Sequence, residues 1–159
     1  MASFSVGTVA SDGDFWHDAV NASRSVSRMN RIGLTGSASG RDEYNQLRRD
    51  FDNTGRASFV RDLAGDPQKV STLREAGLSD ADITMLADGR IPAGWQVHHK
   101  LPLDDGGTND FSNLVLIKND PYHLTITNAQ NAATRGMNVG ETRQLDWPLP
   151  GGFVYPPRP

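Results

Sequence analysis

Three of the four histidines in this 159-residue chain fall between residues 98 and 123: the adjacent pair His98-His99 and, after a glycine turn, His123. Between them lie Pro102, Gly106-Gly107 and Asn113-Leu114. An imidazole can accept a proton near neutral pH or bind a metal ion. Hydrolysis of a phosphodiester calls for both services, a water made nucleophilic and a cation beside the phosphate to hold the developing charge. The expected chemistry is therefore metal-assisted cleavage of nucleic acid. Cysteine is absent, which removes disulfides and thiolate chemistry and leaves imidazole, carboxylate and water as ligands.

The flanking elements are readable. Residues 95–99 (Trp-Gln-Val-His-His) alternate apolar and polar and fit a short strand, and the β-branched run at 114–117 fits its return. Between them Gly106-Gly107, with Asp104, Asp105, Asn109 and Asp110 around it, forms a long turn whose glycines can take positive φ. Asp104 and Asp105 are assigned to a solvated loop tip in preference to a carboxylate pair for a metal. Asp120-Pro121 reads as an N-cap followed by proline at the first helical position, which places His123 in the first turn of a helix. A hairpin packed on one helix should bring histidines from both to one point. His17, beside Phe15 and Trp16, is read as structural or solvent-facing.

In its order of His-His, Pro, Gly-Gly, Asn and His, the stretch from 95 to 131 resembles an HNH endonuclease motif, the ββα-metal or His-Me finger. It is most similar to the DNase toxins of bacterial competition, the nuclease colicins, pyocins and toxin tips of secreted effectors. The resemblance covers roughly a quarter of the chain. It implies that His98 and His123 are metal ligands, that His99 is the general base, and that Asn113 braces the loop behind His99. Two positions depart from the colicin-like pattern: Thr127 stands where a third histidine follows on the same helix face, and Gln96 where a glutamate precedes the pair. The implied ion is then held by His98 and His123, with water and phosphate completing its shell. Magnesium or manganese is expected for activity, whereas a three-histidine site would favour zinc or nickel. Thr127 and Lys100 are candidates for contact with the ion's surroundings or the substrate backbone.

The resemblance also implies partners: DNA, and a cognate immunity protein that restrains an effector secreted or injected to act in a target-cell cytoplasm. RNA is the alternative substrate. Two rivals belong to other classes. One is a non-catalytic nucleic-acid-binding module with a structural metal, against which two ligands are too few for a closed tetrahedral site. The other is a toxin acting through protein contacts with an inactive HNH-like segment, against which the intact residues at 98, 99, 113 and 123 count.

Length and 36% hydrophobic residues suit one domain with a real core, and no run is long and apolar enough for a membrane segment. No charged-then-apolar signal segment opens the sequence, so nothing in it indicates Sec-type export. The net charge of -3 argues against a DNA partner, but its distribution softens the objection. Residues 21–61 hold eight arginines (24, 28, 31, 41, 48, 49, 56 and 61) against four acids. Residues 14–31 read as an amphipathic helix with Arg24, Arg28 and Arg31 on one face, as candidate phosphate contacts or as an ordinary solvated surface.

The remaining expectations are a small-residue linker from Gly33 to Gly40, a helix marked by Tyr44, Leu47 and Phe51, and a short one through Phe59, Val60 and Leu63 ending near Gly65. A further helix starts at Asp66-Pro67 and closes at Gly77, and a capped one runs from Ser79 with Asp82 to Gly89. Beyond Gly136 the Pro- and Gly-rich sequence suggests an extended tail across the surface. The fold expected is α+β, a mostly helical domain with a C-terminal ββα-metal core: a helical part over 1–94, the motif over 95–136 and the tail over 137–159.

Overall fold

The structure, a computed structural model, describes residues 19–27 and 38–159. Its architecture is α+β. Strand β1 (Ala19–Ser27) is followed by α1 (Ala38–Asp50), a π turn (Phe51–Gly55) and α2 (Arg56–Gly65), which follow one another as a single helical run. Then come α3 (Pro67–Glu75), α4 (Asp80–Ala87), the strands β2 (Trp95–His99) and β3 (Leu114–Lys118), helix α5 (Leu124–Ala133), and strands β4 (Thr142–Pro150) and β5 (Val154–Tyr155).

The helix ends follow their sequence signals. Asp66 accepts a hydrogen bond from the Gln68 N–H at 2.9 Å with Pro67 at the first helical position, and Gly77 ends the turn after α3 at φ +98°. Ser79 and Asp82 form a reciprocal capping box on α4. Asp120 keeps extended backbone angles (φ -105°, ψ 131°), so the chain turns helical at Pro121 and His123 stands in the first turn before α5, as expected.

Strands β2 and β3 pair antiparallel, with His99 opposite Leu114 and His98 opposite Val115, and β5 adds to β3 in parallel. Residues 114–117 of β3 are fully buried, and successive side chains leave opposite faces. Leu114 and Leu116 pack with Phe51, Phe59, Leu63, Leu73 and Leu86 of the helical layer. Val115 and Ile117 pack with Ile126 of α5 and Tyr155. One strand thus supplies two cores.

Three expectations are corrected. Residues 19–27, read as part of a helix over 14–31, form a strand paired antiparallel with β4, from Ala19 opposite Pro150 to Ser27 opposite Thr142. The segment is rich in Ser, Asn and Val, which are indifferent helix formers, and a partner strand more than a hundred residues away decides its conformation. Arg24 therefore lies on a strand, opposite Leu145. Arg28, Arg31, His17 and residues 33–37 of the proposed linker lie outside the described residues, while Ala38–Gly40 already belongs to α1.

The sequence beyond Gly136 is extended, as expected, but is not laid across the surface. Trp147, Leu149, Val154 and Tyr155 are buried, and the Trp147 indole N–H donates to the Lys100 carbonyl at 2.7 Å. Prolines 148 and 150 are tolerated because, among the described residues, β4 pairs with β1 alone, which leaves its other edge without a ladder for them to interrupt.

Asp104 and Asp105, the third correction, are 6% and 4% exposed rather than solvated. They sit in a 3-10 turn (Leu103–Asp105) folded against the end of β2: Asp105 N–H and Gly107 N–H both donate to the Pro102 carbonyl. Gly106 takes φ +96°. Gly107 is needed for a different reason, since a Cβ there would lie 1.8 Å from the Leu101 carbonyl oxygen. Among the described residues no helix is long and apolar enough to cross a membrane.

Trp147→Ala should then destabilise the fold by about 3–5 kcal/mol, the usual cost of truncating a fully buried aromatic residue. Urea unfolding measures this, and a midpoint equal to wild type would show that the C-terminal strands contribute nothing to the core.

Candidate catalytic and metal centre

His98 and His99 are neighbours on β2 and so leave opposite faces of the strand. Their cross-strand partners decide where each goes: His99, opposite Leu114, faces the helical layer, and His98, opposite Val115, faces α5. Both reach the same cleft of about 410 Å³ at the strand end, whose walls include Arg48, Phe51 and Arg56 on one side and His123, Thr127 and Gln130 on the other.

His99 is 8% exposed, and its ring packs on Phe51 with ring centres 4.3 Å apart. Its Nε2 lies 2.9 Å from Asn109 Oδ1, and the Asn109 amide nitrogen donates to the Leu47 carbonyl of α1 at 2.8 Å. A carbonyl cannot donate, so the amide of Asn109 is held with its oxygen toward the ring. His99 must then carry its proton on Nε2 when neutral, leaving the Nδ1 lone pair as its basic atom.

The same logic operates on His98. Gln130 donates from Nε2 to the Lys100 carbonyl at 2.9 Å, so its Oε1 faces His98 Nε2 at 3.2 Å and accepts from it. Trp147 donates to the same Lys100 carbonyl, tying the strand end to α5 and β4 together.

Asn113 clasps the intervening loop. Its Oδ1 accepts from the Leu101 N–H at 2.9 Å, and its Nδ2 donates to the Leu101 and Thr108 carbonyls at 2.9 and 2.8 Å. The Lys100 N–H donates to the Asn113 carbonyl at 2.7 Å. The loop that carries Asn109 is therefore hung on Asn113. Lys100 lines a neighbouring concavity with Gly106, Gly107 and Asn113, not the histidine cleft.

Across the cleft the His98 and His123 rings meet edge to face with centres 5.0 Å apart. Two imidazoles bound to one tetrahedral ion at an N–metal distance of ~2.1 Å have ring centres ~5 Å apart, so this spacing fits a shared ion. Thr127 Oγ1 lies 3.5 Å from His123 Nε2, one helical turn on and lining the same cleft. Among the described residues no group of three or more His, Asp or Glu is placed to hold a metal. An ion placed between these rings would have two imidazoles as its protein donors, and its further positions would fall to water.

All three imidazoles are shifted toward the neutral form, which both a base and a metal ligand require. Burial, then the neighbouring His123, lowers His98 to about 4, with the Gln130 hydrogen bond opposing. Burial also lowers His99; Asn109 opposes this, and the guanidiniums of Arg48 and Arg56 add to it. His123 is lowered by burial.

Asn109 and Gln130 escaped the reading of the sequence, and Arg48 and Arg56 entered it only as members of the arginine-rich stretch, with no place at the histidines. Gln130 had a signal, since 123, 127 and 130 follow helical spacing on one face. Asn109 had none beyond its place in a turn, because its anchor is 62 residues away.

No family model and no solved structure matches the chain. The YhhZ protein of Escherichia coli (strain K12), described as uncharacterized, is 45% identical to it over 112 residues, 70% of this chain. The matched stretch is 27% of that relative, so the chain spans about a quarter of its length.

Two outcomes follow from this geometry. Imidazole 15N shifts at neutral pH should show His99 as the Nε2–H tautomer, and Asn109→Leu should convert it to a mixture; an unchanged tautomer in the variant would remove Asn109 from the role. Stability should also fall in acid. With its folded-state value depressed, His98 stays neutral while the unfolded chain takes up a proton, so the folded state is penalised progressively as pH drops from 6.5 to about 4. The full passage costs about 3 kcal/mol. Urea midpoints measured with chelator from pH 7.5 to 4 should decline, less steeply in His98→Asn; identical slopes in the two proteins would contradict the assignment.

Proposed function

We propose that the chain is a metal-dependent endonuclease of the HNH, ββα-metal type that hydrolyses DNA phosphodiester bonds, working as an antibacterial toxin domain. The observation that carries this reading is the pairing of two features in one cleft: a buried His99 whose Nδ1 is left as the basic atom, and His98 and His123 converging at 5.0 Å. A general base and a two-imidazole cation site are the two parts that phosphodiester hydrolysis needs.

His99 Nδ1 takes a proton from water as the water oxygen bonds to phosphorus, and the bond from phosphorus to the leaving oxygen breaks with its electron pair going to that oxygen, which then takes a proton from solvent. Asn109 holds the ring so that Nδ1 is presented at the start of the reaction, and the imidazolium formed keeps its Nε2–H bond to Asn109 Oδ1. Phe51 shields one face of the ring from water. His98 and His123 would hold a divalent cation, with magnesium or manganese expected and zinc or nickel as alternatives. When bound it would act as a Lewis acid on the phosphate and leaving oxygens. Two protein ligands leave coordination positions open, which suits a catalytic rather than a structural ion. Asn113 acts at one remove, through the loop that carries Asn109.

The toxin assignment rests on the resemblance to competition DNases and brings with it a cognate immunity protein and action in a target-cell cytoplasm. Expression in a bacterial cytoplasm should accordingly be harmful and should activate the DNA-damage response, and His99→Ala should abolish both effects.

Purified chain incubated with supercoiled plasmid and, separately, with total RNA should nick and linearise the plasmid in the presence of divalent metal and not with chelator. His99→Ala should lose at least about a hundredfold of that activity, within the span ordinarily contributed by a general base, while retaining metal binding; His98→Ala and His123→Ala should lose both. Near wild-type cleavage by His99→Ala would overturn the assignment, and cleavage of RNA alone would move the substrate class.

A further inference from the structure

The wall of the cleft opposite α5 is built from one face of the helical run from 38 to 65. Arg48, Asp52 and Arg56 are spaced four residues apart along it, on either side of and within the π turn Phe51–Gly55. Asp52 bridges the two arginines: Arg48 Nε lies 3.3 Å from Oδ2 and Arg56 Nη2 2.6 Å from Oδ1. The Arg56 guanidinium carbon sits 5.0 Å from the centre of the Phe51 ring, which in turn packs on His99.

Three observations make this more than a surface ion network. Both guanidiniums border the histidine cleft and remain open to solvent, with side chains 54% and 41% exposed. One carboxylate shared by two guanidiniums leaves the trio with net positive charge, in a chain whose total is -3. Two guanidiniums also carry far more N–H donors than one carboxylate can accept. Among the described residues the other arginine ion pairs lie outside this cleft: Arg74 pairs with Asp80, Arg90 with Asp88 and Arg143 with Glu141.

We propose that Arg48 and Arg56, aligned by Asp52, form a phosphate-binding clamp that holds the sugar-phosphate backbone of a nucleic acid across the cleft, beside His99. The proposal rests on the nuclease reading and adds a site to it. The planar fork of each guanidinium matches two oxygens of a phosphate. Asp52 restrains both side chains where they border the cleft before substrate arrives, so less rotamer freedom is lost on binding. π turns inside helices recur at functional sites, and this one carries the aligning carboxylate. Phosphate contact is thereby assigned to the wall of the cleft. The contacts are to backbone, so they confer affinity without sequence preference.

Equilibrium binding of a fluorescein-labelled duplex to the full chain, in chelator so that nothing is cut, tests the clamp. Across a salt series, Arg48→Gln and Arg56→Gln should each weaken binding equally for unrelated sequences and lower the slope of log affinity against log salt by about 0.9. Arg74→Gln should leave the slope at the wild-type value. Arg48→Lys and Arg56→Lys should keep the wild-type slope while binding more weakly, because charge is retained and the fork is lost; a folding defect would not be rescued in this way. A wild-type chain that binds duplex, with Gln variants no different from Arg74→Gln, would overturn the clamp alone. A wild-type chain that binds neither duplex nor RNA would overturn the nuclease reading with it.

Discussion

The burial of β3 on both faces is the constraint on which the rest of the structure depends. Residues 114–117 have no exposed surface, and alternate side chains are committed to two different cores. A slip of one residue in the pairing of β2 with β3 would exchange the two sets and turn each histidine to the wrong side. Because His98 lies opposite Val115 and His99 opposite Leu114, the register that fills the cores also sends one imidazole toward α5 and the other toward α1 and α2. Adjacent histidines can therefore take different tasks without competing for one position.

Around that register the site is organised by amides. Asn109 and Gln130 each spend their N–H on a main-chain carbonyl, and this fixes which end they offer to an imidazole. In a buried setting such a fixed acceptor selects a tautomer, since the alternative would leave a carbonyl oxygen facing a lone pair. Burial holds the rings neutral, while the amides determine which nitrogen carries the proton. These two effects are separable: the first follows from the hydrophobic layers on either side, the second from three hydrogen-bonded loops and helices that meet at the end of β2.

The Lys100 carbonyl shows how distant parts converge there. It accepts from Gln130 of α5 and from Trp147 of β4, while the Lys100 N–H is tied to Asn113. The strand end that carries both histidines is thus pinned by the helix, by the C-terminal strand and by the loop asparagine. On the opposite wall, the helical run through the π turn brings Phe51 against His99 and places Arg48 and Arg56 at the rim.

Local chemistry made much of this legible in the sequence. The Asp66-Pro67 and Ser79/Asp82 helix starts, the closing Gly77 and the hairpin at 95–99 and 114–118 depend on neighbours a few residues apart, and the structure has them where those signals lie. The grouping of His98, His99, His123 and Thr127 at one cleft was legible for the same reason, being set by strand alternation and helical spacing. What needed the tertiary structure was whatever rests on distant partners. Residues 19–27 are a strand because β4 pairs with them, and the C-terminal segment is buried because Trp147 has the end of β2 to bond. Asp104 and Asp105 turn inward because Gly107 closes on Leu101, an approach that glycine allows and any side chain would block. Asn109 reaches Leu47, and Arg48 and Arg56 reach the histidine cleft, across separations along the chain that no local pattern encodes. Periodicity and capping are written in near neighbours, whereas the choice of strand partner, of tautomer and of the cleft's charged wall is made by packing.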